Sequence, residues 1–301
     1  MIEYHKNNEI DRAQWDNCIR KTHRAKPYGF SWYLDIMAPG WEALIDDEYE
    51  SVFPVPLFSK FGIKYVATPP FLQQLGAFSP DKPADSALVE FLDFMPDTYK
   101  FIDICVSQEI CVPGFKVTPM VNCELDLSKP YEKLWDKFSP ACRHSIESAG
   151  KKKHDIISDI KPDELIDLYL RNKDRKKDKI KPADIQRLIC LMNFCIKNKK
   201  GRLLGVRSMR KKLMAGIFIV ETHGIKTILL NACSKETTAH NLSYYVVNET
   251  ISKYSSTRTI LDFASSSFTG NIPLDGSFGC VEVPYYRIYC NRLLWPARMV
   301  R

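Results

Sequence analysis

The segment "TILDFASSSFTGNIPLDGSFGCVEVPYYRIY", residues 259–289, contains side chains whose types and spacing could do chemistry. Asp262 is the alternate polar residue of an apolar strand pattern and lies near its end, where a cleft can form. Ser265 and Ser266 begin a run of loop serines that could donate hydrogen bonds to a substrate. Phe278, before a glycine, predicts a tight, packed turn at the far side, and we include it among the substrate-binding candidates. We interpret the segment as a substrate-binding gap between two strands. The alternative is a structural carboxylate that accepts N–H bonds from a solvated serine loop.

A second group of candidate substrate-binding side chains lies in the first hundred residues. Tyr28, Trp32 and Tyr33, in "KPYGFSWYLD", combine aromatic surface with polar tips, as ligand pockets often do. Gln73 and Gln74 follow an apolar Pro-Pro-Phe turn, and in a strand their side chains would point to opposite faces. One of the two would then line a cleft. For both sets the alternative is an aromatic core with hydrogen-bonded glutamines.

Two runs of basic residues, "RHSIESAGKKKH" and "RNKDRKKDKIK", could contact phosphate on a nucleotide-linked ligand or on tRNA. The interleaved Asp174 and Asp178 favour instead a solvated helix end or an exposed loop. Before the first run, Ser139 and Pro140 predict a capped helix, and Gly150 predicts its end.

The composition limits the class of protein. The chain has 301 residues, 45% of them hydrophobic, which is enough for a large core and, by length, about two domains. The net charge of +7 fits a polyanionic ligand such as a phosphate-bearing cofactor or nucleic acid. Ten cysteines without a CxxC pair or a paired histidine spacing predict free thiols, a reducing cytoplasm and no metal site. The sequence shows neither an apolar N-terminal stretch nor a run of about 18 apolar residues, so we expect no signal peptide and no membrane span.

The apolar periodicity predicts the same order of elements twice: helices, three strands, a helix and two strands. We therefore predict two domains, residues 1–127 and 128–301. The fold class is α/β (α+β), with mixed, mainly antiparallel sheets and flanking helices. Successive strands joined by short turns argue against a doubly wound parallel sheet. In "SVFPVPLFS", Pro54 and Pro56 predict an edge or bulged strand.

Three segments in this order resemble the tandem-GNAT acyltransferases related to the Fem-type peptidoglycan-bridge aminoacyltransferases. They are "WEALIDDEYESVFPVPLFSKFGIKYVATPPFLQQLGAF", "FSPACRHSIESAGKKKHDI" and "LDFASSS" followed by "FGCVEVPYYRI". The first looks like the N-terminal signature of a bacterial branch of that group. The second is similar to the family's helix that carries basic residues before a strand, which makes Arg143 a candidate substrate ligand. The resemblance covers nearly the whole chain and implies two halves with the GNAT, or acyl-CoA N-acyltransferase, fold.

The resemblance also implies a chemistry. An acyl or aminoacyl group would move from a thioester (acyl-CoA) or a charged tRNA to an amine by direct attack, with Asp262 orienting or deprotonating the amine. Acyl-CoA is slightly favoured as co-substrate because the basic surface is modest. The acceptor would be a small-molecule or peptidoglycan-precursor-like amine bound by the first half. No metal is implied.

In such a fold the donor pyrophosphate lies where a central strand ends and the next helix begins, which here is "NACSKETTAHNLSYY". Helix N-termini attract anions through free N–H groups and a partial positive charge. The candidate donor ligands in this segment are Ser234, Lys235, Thr237, Thr238, His240 and Asn241. A capped helix with a solvated polar loop is the alternative.

The sequence departs from the family pattern at two positions that bear on activity. Ala264 stands where the family commonly has Glu, and Gly276 stands about where a basic residue precedes Ser-Phe-Gly. These departures motivate a second hypothesis, a catalytically impaired ligand-binding protein of the same fold. A nucleic-acid-binding protein is a third, although the chain carries no motif of that class.

Overall fold

The computed structural model describes residues 1–96, 98–151, 154–172, 180–234, 239–264 and 275–293. They form two compact units, one of Met1–Met120 with Pro284–Arg301 and the other of Val121–Val283. The sequence assigned everything after residue 127 to the second domain, whereas the structure returns the C-terminal segment to the first unit. The reason is a strand pairing between distant parts of the chain, which local patterns do not reveal.

The first unit contains three α-helices and the strands of two sheets among its described residues. In chain order they are β1 (Ile2–His5), α1 (Arg12–Lys21), α2 (Ser31–Met37), β2 (Glu42–Asp46), β3 (Ser51–Val55), β4 (Leu57–Lys60), β5 (Ile63–Ala67), α3 (Ala84–Phe94), β6 (Phe101–Val106) and the start of β7 (Lys116–Asp126). One sheet has the order β1-β2-β3 and the other includes β4-β5-β6. The last strand of the chain, β12 (Val281–Asn291), pairs antiparallel with β6 through Tyr286 to Asn291.

The predicted strand "SVFPVPLFS" is divided in the structure. Pro56 separates β3 from β4, and the two strands belong to different sheets. Pro54 lies on β3, at the edge of the three-stranded sheet, where a missing N–H leaves no ladder bond unmade. The core of this unit packs around Phe53 and Phe91, whose rings stack 5.9 Å apart. Phe91 lies on the buried face of α3, together with Leu88 and Leu92.

The second unit begins within β7 and, like the first, has helices followed by successive antiparallel strands, one helix and a further strand. Its described elements are α4 (Tyr131–Trp135), α5 (Pro140–Gly150), α6 (Pro162–Asn172), α7 (Pro182–Lys197), β8 (Gly201–Arg207), β9 (Leu213–Thr222), β10 (Ile225–Cys233), α8 (Ala239–Tyr254) and β11 (Ile260–Asp262). The strand order in this unit is β7-β11-β10-β9-β8. Each half of the chain thus contributes its last strand to the sheet of the other unit. The predicted fold class, mixed and mainly antiparallel sheets with flanking helices, is confirmed.

The start of α5 agrees with the predicted cap. The Ser139 hydroxyl accepts a hydrogen bond from the Cys142 backbone N–H at 3.2 Å, Pro140 is the first helical residue, and the helix ends at Gly150. Cys142 and Ile146 then face the core of the unit. Within the described ranges, every helix is too short or too polar to cross a bilayer.

Candidate active site

Strands β10 and β11 part soon after they meet. They pair in parallel over only three rungs, Ile225↔Ile260 to Thr227↔Asp262, although β10 continues to Cys233. After Asp262 the chain stays beside β7, because the Phe263 N–H donates to the Cys123 carbonyl at 3.0 Å. On its other side β10 remains paired with β9 as far as Cys233. Among the described residues, the β11 side of β10 therefore has no strand partner beyond Thr227.

A β-bulge lies next to this point. The pairing of β10 with β9 shifts register between Ile228, opposite Ile219, and Leu230, opposite Phe218, so Leu229 is the extra residue. A bulge bends its strand and leaves one residue outside the ladder. Leu229 lies two residues past Thr227, the last rung that β10 shares with β11, so the bulge bends β10 just where it leaves β11.

Asp262 occupies the last shared rung and is completely buried. Its Oδ1 accepts hydrogen bonds from Asn122 Nδ2 at 2.8 Å and from the Ala264 backbone N–H at 2.9 Å. Its Oδ2 lies 3.4 Å from the hydroxyl of Thr227. The carboxylate therefore links β7, β10 and the left-handed turn at Ala264, where φ is +47°.

This geometry favours the structural alternative for Asp262. The carboxylate accepts a hydrogen bond from the Ala264 N–H, just before the run of serines, which agrees with the structural alternative. It is also fully buried and is therefore poorly placed to contact a substrate. A catalytic role for Asp262 stays a prediction. Ser265 and Ser266 lie outside the described residues.

The predicted donor site falls where β10 ends. Ser234 follows the strand, and its backbone N–H donates to the Met214 carbonyl at 2.7 Å. Asn241 is the third residue of α8 and is half-buried. His240 belongs to the first turn of α8, but its side chain lies outside the description, as do Lys235, Thr237 and Thr238. The strand end, the short connection and the helix start thus occur in the predicted order, while the binding roles stay predictions.

Sequence reasoning missed several buried polar residues near the parting strands. Asn122 and Thr227 are fully buried partners of Asp262, and Asn231 is buried on β10 past the bulge. Each is a polar residue inside an apolar strand, which is the signal that singled out Asp262. The same criterion, applied to "MVNCEL", "KTILL" and "LLNAC", would have found all three.

Phe278 lies in the core of the second unit. It is fully buried, and its ring contacts Phe138, Phe263 and Tyr244 at centroid distances of 5.1, 5.8 and 5.8 Å. The next residue, Gly279, has φ +65°, and a Cβ there would lie 2.7 Å from the backbone oxygen of Lys137. The tight, packed turn is confirmed, and the packing of Phe278 explains it without a ligand.

The aromatic candidates of the first unit are mostly core. Tyr28 and Tyr33 are fully buried and pack edge to face with centroids 5.4 Å apart. The Tyr33 hydroxyl donates to the Phe71 carbonyl. Trp32 is only half-buried and packs against Phe30 and Tyr33. Of the three, Trp32 keeps surface that a ligand could contact.

The expectation that Gln73 and Gln74 point to opposite faces is wrong. The segment is irregular rather than a strand, because Phe71 adopts a left-handed conformation with φ +62°. Gln74 Nε2 donates to Gln73 Oε1 at 2.8 Å, and both side chains are buried. They form a polar contact with each other, as in the alternative of hydrogen-bonded glutamines.

Arg143 lies in the second turn of α5 and is half-exposed. Its neighbour Cys142 is not a nucleophile candidate, because burial raises the pKa of this thiol to about 12. Burial also raises the pKa of the Cys233 thiol at the end of β10. These thiols are protonated at neutral pH, which agrees with direct attack by an amine. Among the residues that the structure describes, His, Cys, Asp and Glu side chains form no group able to hold a metal ion.

A charged cluster lies at the opposite end of α8 from the candidate donor site. Glu221 accepts hydrogen bonds from Arg202 and, at 2.9 Å, from Lys226, whose ammonium lies 4.0 Å from the centre of the Tyr254 ring. Burial raises the pKa of the Glu221 carboxyl, but the bonds from Lys226 and Arg202 outweigh it and lower the pKa overall.

Comparison with known proteins places this geometry in a known fold. No protein-family model matches the chain, and no curated protein matches it in sequence. The crystal structure of FemX is similar with a TM-score of 0.65 and 11% identity, over 97% of both chains. The structure of L-PGS from Bacillus licheniformis is similar with a TM-score of 0.55 and 11% identity, over 96% of this chain and 94% of that one. A conserved protein of unknown function from Bacteroides thetaiotaomicron gives a TM-score of 0.57 and 11% identity, over 97% of this chain and all of that one. The predicted resemblance to the Fem-type, GNAT-fold acyltransferases is confirmed at the level of the fold.

Proposed function

We propose that the chain is an acyltransferase that moves an acyl or aminoacyl group from acyl-CoA or a charged tRNA to an amine. The observation that carries the proposal is the parting of β10 and β11 at Thr227 and Asp262, in a FemX-like fold in which the chain continues from the end of β10 into α8. A wedge between two strands accepts an extended acyl carrier, and the N-terminus of a helix accepts its phosphates.

The reaction needs no protein nucleophile. The amine nitrogen attacks the carbonyl carbon, the C–S bond of a thioester or the C–O bond of a tRNA ester breaks, and the leaving group takes up the proton that the amine loses. Backbone N–H groups of β10 around the bulged Leu229 would stabilise the oxyanion, since a bulge removes a residue from the ladder. Asp262 would fix the geometry of the wedge through Asn122 and Ala264.

The donor would be held by Ser234 and Asn241, with Lys235, Thr237, Thr238 and His240 as further candidates. Trp32 and Arg143, the half-exposed members of the substrate group, are the stronger candidates for the amine acceptor, which would be a small-molecule or peptidoglycan-precursor-like amine. We assign the activity to the cytoplasm, where both donor classes occur.

Donor binding is tested by thermal unfolding of the full chain with coenzyme A and with pantetheine, which lacks the phosphates. We expect coenzyme A to raise the Tm more than pantetheine. Asn241→Asp adds a negative charge in the first turn of α8, which favours the helix but repels a pyrophosphate. It should therefore reduce the shift given by coenzyme A without lowering the Tm of the protein alone. Gln186→Glu makes the same charge change on an exposed face of α7 and should leave the shift unaltered.

Turnover is tested separately, with acetyl-CoA and with aminoacyl-tRNA, by following thiol or tRNA release in the presence of amines. Release that depends on the amine supports the transferase. Stabilisation by coenzyme A without release from either donor would support the catalytically impaired ligand-binding protein, which the family departures at Ala264 and Gly276 motivate. Equal shifts with coenzyme A and pantetheine would contradict the phosphate site.

A further inference from the structure

The turn between β4 and β5 exposes apolar side chains that a soluble protein would bury. Phe61 is 84% exposed and Ile63 is 37% exposed. They lie in "KFGIK", between the exposed Lys60 and Lys64. The Lys60 ammonium lies 5.6 Å from the centre of the Phe61 ring, so charge and apolar surface occupy the same small tip.

The backbone of this turn makes the choice of Phe more unusual. Phe61 and Gly62 both have positive φ, +51° and +75°, which is the pattern of a type I′ hairpin turn. The first position of such a turn favours Asn, because few side chains tolerate a left-handed conformation. Phe at this position is unfavourable for the backbone and for solvation together. Folding therefore does not explain it.

A hairpin turn in the second unit has the same composition. Between β8 and β9, Met209 is fully exposed, beside the exposed cations Arg210, Lys211 and Lys212. The loop has a fixed shape, since the Ser208 N–H donates to the Lys212 carbonyl at 2.8 Å and the Lys211 N–H donates to the Ser208 carbonyl at 2.8 Å. Each unit thus presents one ordered turn with a large apolar side chain among cations.

We propose that the β4–β5 turn docks the protein on an anionic lipid bilayer. Phe61 and Ile63 enter the boundary between headgroups and acyl chains, and Lys60 and Lys64 contact the lipid phosphates. The Met209 turn makes the same kind of contact with its own cations.

The chemistry of the two turns favours a bilayer over other partners. Nucleic acid would use several rings that stack on bases, but of Phe61, Ile63 and Met209 only Phe61 has a ring. A protein partner would need an extended face, on the order of 800 Å² on each side, and the tip of a two-residue turn offers far less. A bilayer requires only a few apolar side chains and nearby cations.

The experiment is vesicle co-sedimentation of the full chain, with vesicles of phosphatidylcholine alone and of phosphatidylcholine with phosphatidylglycerol. We expect binding to the anionic vesicles that weakens as salt is added, and much weaker binding to the neutral ones. Phe61→Asn should lower the partition coefficient by about tenfold, the lower end of the range for burial of one large apolar side chain. Because Asn suits the first position of a type I′ turn, the Tm of the Phe61→Asn variant should equal or exceed that of the wild type. A loss of binding in this variant would then not result from unfolding.

Phe94→Asn is the matched control. Phe94 is 46% exposed at the end of α3, but its neighbour is Asp93, so its loss should leave binding unchanged. Lys64→Gln should weaken binding to anionic vesicles only, and Met209→Ser should lower binding independently of Phe61. Equal binding of wild type and Phe61→Asn would overturn the proposal. So would equal binding to both vesicle types, or binding to single-stranded RNA in place of vesicles.

Discussion

Replacing Asp262 tests the hydrogen-bond network that holds the parting strands. Asp262→Ala removes the carboxylate oxygen that accepts hydrogen bonds from two buried donors, Asn122 Nδ2 and the Ala264 N–H. Each buried donor left unsatisfied costs about 1–3 kcal/mol. We expect a loss of about 4 kcal/mol in the free energy of unfolding, which for a unit of this size lowers the Tm by roughly 10 °C.

Asp262→Asn should cost far less. Both N–H donors use the same oxygen, Oδ1, which an amide retains. The new NH₂ group would replace Oδ2 and donate to the Thr227 hydroxyl, 3.4 Å from that position in the wild type. The charge assistance of these hydrogen bonds is lost, which costs about 1 kcal/mol. Urea unfolding at neutral pH compares the two variants.

Equal losses of stability in the two variants would refute the network. Turnover then separates positioning from catalysis. If Asp262 only positions the strands, Asp262→Asn keeps most of the activity, and what it loses appears in kcat and KM together. If Asp262 removes the proton from the amine, the folded Asn variant loses about 10²–10⁴-fold in kcat.

Three further predictions concern the second unit. Gly279→Ala should lower the free energy of unfolding by about 2–4 kcal/mol, because the added Cβ meets the Lys137 backbone at a residue with positive φ. Gly276→Ala is the control, since no atom lies within 4 Å of its added Cβ, and it should change this free energy by less than about 0.5 kcal/mol. Urea unfolding measures both variants. Phe278→Ala should lower the free energy of unfolding by about 3–5 kcal/mol with or without the acyl donor, because the ring fills the core. If the variant instead kept its stability and lost donor binding, Phe278 would be a ligand contact. Glu221→Gln should cost about 2 kcal/mol at neutral pH. Folding lowers the pKa of Glu221, so its contribution to stability is present above the unfolded pKa of 4.5 and is lost as the pH falls through the folded pKa. The unfolding free energies of the wild type and the variant should therefore converge in acid. A difference between them that does not depend on pH would contradict the ion pair.

The order of elements could be predicted from sequence because it depends on local periodicity and caps. The buried face of α3 and the start of α5 at Ser139 and Pro140 follow from patterns within one or two turns. The exchange of the last strands could not be predicted, since β12 pairs with β6, about 180 residues earlier in the chain. Nothing in "VEVPYYRIY" specifies which sheet it joins.

The candidate site shows the same division between local and distant information. Polarity within an apolar strand singled out Asp262, but its role depends on partners that are distant in sequence, Asn122 on β7 and Thr227 on β10. The side chains of Gln73 and Gln74 would point to opposite faces only in a strand, and the left-handed conformation of Phe71 turns the chain there instead. Residue type indicated that these positions matter, and tertiary contacts decide what each one does.

Three local features lie at or within two residues of the last rung that β10 shares with β11. The bulge at Leu229 bends β10 away, the left-handed Ala264 turns the chain after β11, and Asp262 joins the two sides at the rung between them. Without the carboxylate, the Ala264 N–H and Asn122 Nδ2 would lose the hydrogen bonds that they donate to it. Because Ala264 is buried, a Glu carboxylate at this position would lose its hydration and would need a buried hydrogen-bond partner. The buried Asp262 supplies the carboxylate that joins the two strands at the point where they part.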